Sequence, residues 1–470
     1  MPTDLNEPIL EGGLRRIPFF NGRVLTAEDL ETEQAANAAE RRRLGRALGS
    51  GVLEGLFVER GPEASSRTLS VGAGRALGPS GQVIELPTDV ELSIVSEIDR
   101  ADTAGTRGRF ADCSARDIVI TSGTGPYVLF VEPAAGTRGR TPRARLSGDG
   151  AAAECGAQYR LEGAALRLVP LDPGDAALVP ESVRDPIQER RDQVEDTLEE
   201  GEAPASTAVS VLRNLWAHVC LGTPGARTEA ADLYDALRGA AQGEGAGRLR
   251  PVDVLRRNRP SLSGHAVPLG LIYWARDRIL FVDNWSVRRR VHRDPFRPAS
   301  ESPGAHRPPP ATDRRRAEGE AALYQFQDHL ASLLGADPEP SALERIEALS
   351  FFSFLPAAGL VPIRADEADT IRPPFFRGLT YRPPVFLDGR RVGPLLSRSV
   401  LHAGLDLSDQ EMLWTYRVRE NEQSPRGDRV RYLLFTGPEL PFQGDPLYDA
   451  ARWDYSHYGP GINRHPSIGD

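Results

Sequence analysis

The chain has 470 residues, 40% hydrophobic and 26% charged, with a formal net charge of −9. At roughly 100–200 residues per domain that length accommodates two to four domains, and the apolar share excludes a chain that is disordered throughout. The 57 basic residues are all arginine and face 66 acids, so the clustered positive charge that nucleic acid requires is not expected.

The first residues, MPTDLNEPILEGG, carry acids and no apolar stretch, so no secretory signal is expected. No apolar run reaches the roughly 18 residues of a membrane span. Cys113, Cys155 and Cys220 are odd in number and far apart, which argues against a disulfide framework. Arginine without lysine is most simply a codon-usage effect, though the planar guanidinium also suits ion pairs between subunits. The triple-arginine runs at 41–43, 288–290 and 314–316 read as solvated faces.

Residues 16–23 read as an extended segment closed by the Asn21-Gly22 turn. Thr26-Ala27-Glu28-Asp29 starts a helix with a hydroxyl N-cap and an acid three residues on. Acids crowd its first turns and Arg41, Arg42, Arg43 and Arg46 its last, as the helix dipole favours, and Gly49-Ser50-Gly51 ends it. Its apolar face is thin, so it needs a partner surface. Strands are expected over Val52–Glu59, Thr68–Ala73, Gln82–Leu86 and Glu91–Val95, with Gly78–Gly81 as the turn between the second and third. The glycines at 72, 74 and 78 do not have dinucleotide-loop spacing.

Asp117–Thr121 and Tyr127–Val131 follow as strands, then a Gly/Arg/Pro-rich stretch at 136–150 and a strand ending near Pro170. Pro186–Glu202 is charged and helical, and Ala208–Val219 is an amphipathic helix with Trp216 toward a core and His218 and Cys220 as core or core edge. Residues 222–264 read as a linker around a short helix at Glu229–Arg238. Ala266–Trp274 and Ile279–Asp283 form a hairpin, and helices follow at Glu318–Leu334 and Ser341–Ser350. The remainder holds short strands at Val385–Leu387, Leu413–Val418 and Arg429–Phe435 before an aromatic tail.

The expected class is therefore a multidomain α+β protein: small, antiparallel, sandwich-like sheets with several helices and long irregular connections. Its expected divisions are an N-terminal helix and β module (1–95), a β-rich module closing with helices (96–221), a linker (222–265), a hairpin segment (266–296), a Pro/Arg linker (297–317), a helical pair (318–350) and a C-terminal β-rich domain (351–470).

Candidate chemistry is sparse. No histidine pair has metal-site spacing; Asp454, His457 and His465 could meet on the tail, but read better as packed surface. His218 and Cys220 are two apart on a helix and point to different faces. No G-x-S-x-G or H-E-x-x-H occurs, and the acids at 28–33 are explained by the helix start. No catalytic, cofactor or metal residues are assigned. Aromatic and proline-rich stretches at 372–384 and 448–458 fit interface packing or stacking on sugars.

The stretch Phe19-Phe20-Asn21-Gly22-Arg23-Val24-Leu25-Thr26-Ala27-Glu28-Asp29-Leu30-Glu31-Thr32-Glu33-Gln34 resembles a block of proteins encoded with phage tail-like contractile injection systems. The Arg-rich helix, Gly49-Ser50-Gly51, Gly55-Leu56-Phe57-Val58 and Ala76–Ile84 continue the resemblance. So do Glu162–Leu171, Phe281-Val282-Asp283-Asn284-Trp285-Ser286-Val287-Arg288-Arg289 and Phe354–Leu360. Glu54 and Gln82 depart from the family's usual Cys and Arg. The resemblance implies a non-enzymatic structural part of the particle, at the baseplate or around the spike. It would assemble in the cytoplasm in several copies, with baseplate, spike or sheath proteins as partners. Phe19, Phe20, Arg23, Trp285, Arg288, Arg289, Trp453 and Tyr455 are the candidate interface residues. The alternatives are a glycan- or cell-surface-binding module using the tail, and a cargo toxin or cell-wall hydrolase.

Overall fold

The computed structural model describes residues 13–61, 67–96, 116–120, 123–143, 154–172, 179–224, 265–276, 278–292, 312–335, 340–364, 373–418 and 430–440, with 252, 255 and 262. The linker at 222–265, the Pro/Arg stretch at 297–317 and the aromatic tail lie wholly or largely outside these residues.

Helix α1 (Ala27–Leu48) has the expected bounds: Thr26 and Asp29 form a reciprocal capping box and Gly49 is the C-cap. Seven strands follow: β1 (Gly51–Gly55), β2 (Val58–Arg60), β3 (Thr68–Val71), β4 (Gly74–Leu77), β5 (Val83–Leu86), β6 (Val90–Ser96) and β7 (Arg116–Ile120). The single strand expected over Val52–Glu59 is broken at fully buried Leu56, which sits in the left-handed region at φ 57°. That bend sends β1 into the sheet β1-β4-β5 and β2 into the sheet β2-β3-β6-β7. The Gly78–Gly81 turn joins β4 to β5 rather than β3 to β5, because Gly72-Ala73 ends β3 first.

The middle of the molecule is built on one antiparallel sheet of order β11-β10-β8-β9, from β8 (Gly125–Arg143), β9 (Glu154–Pro170), β10 (Val267–Ala275) and β11 (Arg278–Asp283). Helices α2 (Glu181–Glu199) and α3 (Ser206–Leu221) cover one face of this sheet and the N-terminal strands the other. All nine residues of β10 are buried, since both of its faces are covered. A bulge between Pro268 and Gly270 shifts its alternation. Val267 before it, Leu269 within it, and Ile272 and Trp274 after it therefore enter the same N-terminal core, while Leu271 and Tyr273 face the helices.

The β8–β9 ladder outruns this sheet. Strand β10 pairs with β8 only as far as Val131, but β8 and β9 stay paired out to Arg143 and Glu154. In that outer part residues 135–141 and 157–163 are exposed, so the ladder leaves the body as a two-stranded arm.

The C-terminal part holds α4 (Thr312–Leu334), α5 (Pro340–Leu343), α6 (Ala348–Phe351), β12 (Phe354–Leu355), β13 (Ala358–Arg364), β14 (Val385–Leu387), α7 (Gly389–Ser399), β15 (Leu405–Asp406), β16 (Trp414–Val418) and β17 (Val430–Thr436). The single helix expected over 341–350 is two short ones. A four-stranded sheet of order β13-β17-β16-β14 packs one face on a ring cluster in which Phe326 meets Phe352 and Phe435, each at 5.5 Å. A Cβ on Gly359 would lie 2.6 Å from the Phe435 ring, so only glycine fits between the sheet and these rings. The other face receives Val392, Leu395 and Leu396 of α7, a helix not foreseen from a segment holding Gly389, Gly393 and Pro394. Asp388 caps α7 by accepting from Arg390 N at 3.0 Å.

The fold is α+β, with several small, mainly antiparallel sheets and seven α-helices among the described residues. No helix among those residues is long and apolar enough to cross a membrane.

Candidate functional site

The N-terminal segment folds back along α1. Ile17 N donates to Glu33 Oε2 at 3.3 Å, and Arg16 pairs with Glu40. Gly22, at φ 89°, makes the turn that lets Arg23 reach back. Arg23 donates to Pro18 O and to Asp29 Oδ1, both at 2.9 Å, and its guanidinium stands 5.9 Å from the Phe20 ring. Hydrogen bonds from Thr26, with Arg23 adding to them, hold the Asp29 carboxyl below its usual range. Arg23 thus shapes the segment, which displays Phe19 (60% exposed), Phe20 (65%) and Val24 (85%). Leu30, Leu44 and Leu48 extend this apolar surface along α1, where only Ala36 and Gly45 are buried. A Cβ on Gly45 would lie 2.2 Å from Gly81 O, and one on Gly81 2.0 Å from Arg42 O, so α1 meets the β4–β5 turn backbone against backbone.

The second cluster is the turn after β11, where Asp283–Arg289 ties three parts of the molecule together. Asp283 Oδ1 accepts from Trp285 N at 3.1 Å and Ser286 N at 2.8 Å. Asn284 completes the backbone of Val58 in both directions, accepting at 2.8 Å and donating at 2.9 Å. Trp285 packs between Phe57 and Tyr324, with ring centroids at 5.8 and 4.7 Å.

Arg288 is buried at 5% exposure, which corrects its reading as a solvated or docking residue. It donates to Leu56 O at 2.8 Å and to Gly55 O, and lies 4.1 Å over the Phe57 ring. These are the carbonyls of the left-handed bend between β1 and β2, so the guanidinium closes that bend. Burial brings its pKa down to about 10, which leaves it charged at neutral pH. Arg289 donates to the carbonyls of Trp285, Ser286 and Arg288 at 3.0, 3.1 and 2.8 Å and serves the turn. Trp453 and Tyr455, with Asp454, His457 and His465, lie outside the described residues.

Beneath this turn is a buried polar junction among α3, α4 and the turn. Asp283 Oδ2 accepts from Arg213 Nε and Gln325 Nε2, both at 3.0 Å. Arg213 also donates to Ser332 Oγ at 3.0 Å and Asp328 Oδ2 at 3.2 Å. Burial alone would raise the Asp283 pKa, but Arg213 and the donors from Gln325 and Ser286 outweigh it and hold the carboxyl below its usual range. Burial, reinforced by Asp283, raises that of Asp328 against the pull of Arg213. Asn214 accepts from Ser353 N and Phe354 N, both at 2.8 Å, and donates to Phe354 O at 3.1 Å, fixing β12 to α3.

Two contacts here look catalytic in outline. Ser210 Oγ lies 2.7 Å from His329 Nε2, but its hydroxyl donates to Phe351 O at 3.2 Å. His329 is then the donor to the serine, the reverse of nucleophile activation, and both residues are buried. His218, 2.7 Å from Thr223 Oγ1, is buried fully, which drives its pKa down to about 3. Burial likewise lowers His329 and pushes the Cys220 thiol up to about 12, an inert thiol. A cleft of about 160 Å³ lies beside His402, Asp406 and Glu439. Among the described residues no group of His, Cys, Asp and Glu side chains is placed to hold a metal ion.

Sequence reasoning found Asp283 and Asn284 only as parts of a motif and missed Arg213, Asn214, Ser210, Gln325 and His329. The available signal was polar residues at helical spacing inside the otherwise apolar Ser206–Leu221.

No protein-family model matches the chain, and no curated protein matches it. Among solved structures, the crystal structure of TssK aligns at 10% identity and a TM-score of 0.19, over 40% of this chain and 50% of that one. The alignment therefore spans half of that chain's length, and at such a score it carries no argument about fold or function.

Proposed function

We propose that the chain is a non-enzymatic assembly component of a phage tail-like contractile injection system. It would dock at the baseplate or around the spike of a particle assembled in the cytoplasm. The observation that carries this reading is the character of the segment that most resembles that family. Residues 19–34 form the N-terminal arm and the first turns of α1, and there Phe19, Phe20, Val24 and Leu30 stand at least half exposed. An apolar surface held open by a capping box and an Arg23–Asp29 pair fits a subunit that is completed by a neighbour. A second support is that the conspicuous polar groups are spent on internal bonds: Asp283, Arg213, Asn214 and Arg288 join the parts of the chain to each other.

Sedimentation of particles from the producing cell tests the proposal. The wild-type chain should co-purify with sheath and tube, and a Phe19→Ser/Phe20→Ser variant should stay in the supernatant while folding normally. Absence of the wild-type chain from intact particles would overturn it. The glycan-binding alternative rests on Trp453 and Tyr455, outside the described residues.

A further inference from the structure

Strand β9 is the outer strand of its sheet, and among the described residues its only strand partner is β8. Its segment 157–163 is exposed on both faces. An unsupported two-stranded ribbon is marginally stable in water, and an open edge is a template for another strand. The two strands of the arm are unequal in this respect. From 133 to 143, β8 carries Pro133 and Pro142, which lack donors, and Arg138, Arg140 and Arg143 with no acid. Two copies of β8 would set like charges against each other. Strand β9 has no proline before Pro170, and around Leu161 its sequence complements itself.

We propose that β9 pairs antiparallel with β9 of a second copy of this chain, across a twofold axis at Leu161. In that register Arg160 faces Glu162 of the second copy, and Glu162 faces its Arg160. Among the described residues neither side chain carries an ion pair within the chain. Leu161, 46% exposed, meets its own equivalent. Tyr159, 57% exposed, comes over Gly163 of the second copy, where a Cβ would meet nothing within 4 Å. Alternation puts Tyr159, Leu161 and Gly163 on one face and Arg160 and Glu162 on the other. The ring thus fills open space while the charges pair on the opposite side. The pairing is isologous and closes at two copies. It is smaller than the roughly 20–30 residues a side of a standard interface, so a weak, concentration-dependent dimer is expected. The inference deepens the assembly reading by naming one partner, but does not depend on which particle the chain serves.

The test is sedimentation equilibrium of the full chain, free of any particle. The wild type should dimerise. R160E and E162R should each weaken the dimer about 10-fold or more by placing like charges opposite, and the R160E/E162R double variant should regain it. A Leu161→Cys chain should form a symmetric disulfide on mild oxidation that the wild type does not, since directly opposed residues have Cα atoms about 4.5–5.5 Å apart. A wild-type monomer at all concentrations, a dimer indifferent to R160E, or a Leu161→Cys chain that does not cross-link would each overturn the pairing. Co-sedimentation with particles could still succeed after that result, so the two ideas fail separately.

Discussion

Helices α1 and α3 are held by opposite means. Of the 22 residues of α1 two are buried, whereas α3 buries twelve of 16, including Ser210, Arg213, Asn214 and His218. Helix α1 rests on signals within its own sequence: the Thr26–Asp29 box, acids in the first turn and Arg46 in the last. Such signals define a helix without covering it, and leave its apolar side chains on display. Helix α3 has no side-chain cap and no acid in its first turn. Its order comes from the surroundings, and polar groups inside them must be matched one by one. The first arrangement suits a surface awaiting a partner, the second a joint within one chain.

The sharpest way to break the contrast is to unpair the joint. Asp283→Ala strands Arg213 in the interior and removes the acceptor for two turn amides, and should cost about 3–5 kcal/mol. Urea unfolding followed by fluorescence of buried Trp216 would read the loss. An Arg213→Met/Asp283→Leu chain should lose much less, because no charge is left uncompensated.

Acid should attack the same joint. His218 and His329 have folded pKa values pushed below the ordinary 6.5, so the unfolded chain binds protons first. Their contribution to stability is complete above about pH 6.5 and falls as pH drops toward the folded values, by about 1 kcal/mol per pH unit for each histidine. A flat stability profile between pH 6.5 and 4 would mean that these rings are not sealed from water.

Arg288→Ala should cost about 2 kcal/mol, from two lost hydrogen bonds and the contact with Phe57. Differential scanning fluorimetry of the isolated chain measures it; unchanged melting with lost particle binding would return Arg288 to the surface. The smallest effect on folding belongs to α1's neighbourhood. Phe20→Ser should change stability by less than about 0.5 kcal/mol, read from the same melting curve, while particle co-purification falls.

What was legible in the sequence follows the same division. The bounds of α1 could be read because Thr26, Asp29 and Gly49 act locally. The β10–β11 hairpin was legible from its apolar runs and short turn. The break at Leu56 was not, since a leucine with φ above zero is held there by Arg288, more than two hundred residues away. Helix α7 was hidden because burial against β14 and β16 overrides the propensities of Gly393 and Pro394. The outer half of β8 falls in the Gly/Arg/Pro-rich stretch at 136–150 and does not read as a strand, for its pattern lacks the alternation that a covered face imposes. Of the candidate interface set, Phe19 and Phe20 are displayed, Arg23, Trp285 and Arg289 serve local structure, and Arg288 is interior. An arginine's role depends on which carbonyls reach it, and no linear pattern reports that.

The irregularity at Pro268–Gly270 makes β10 a counting device for the whole molecule. Because one added residue there resets the odd–even assignment, removing Leu269 would leave Val267 opposite Val131 and Ile272 opposite Tyr127 in an unbroken alternation, at the cost of one buried side chain. A one-residue deletion past the bulge, at Tyr273, would instead carry Trp274 from the N-terminal core to the helical side. The same deletion in the exposed ribbon would shift only the residues beyond it. Length variation among related chains should accordingly be rarer at 271–274 than at 268–270, and common in the exposed ribbon.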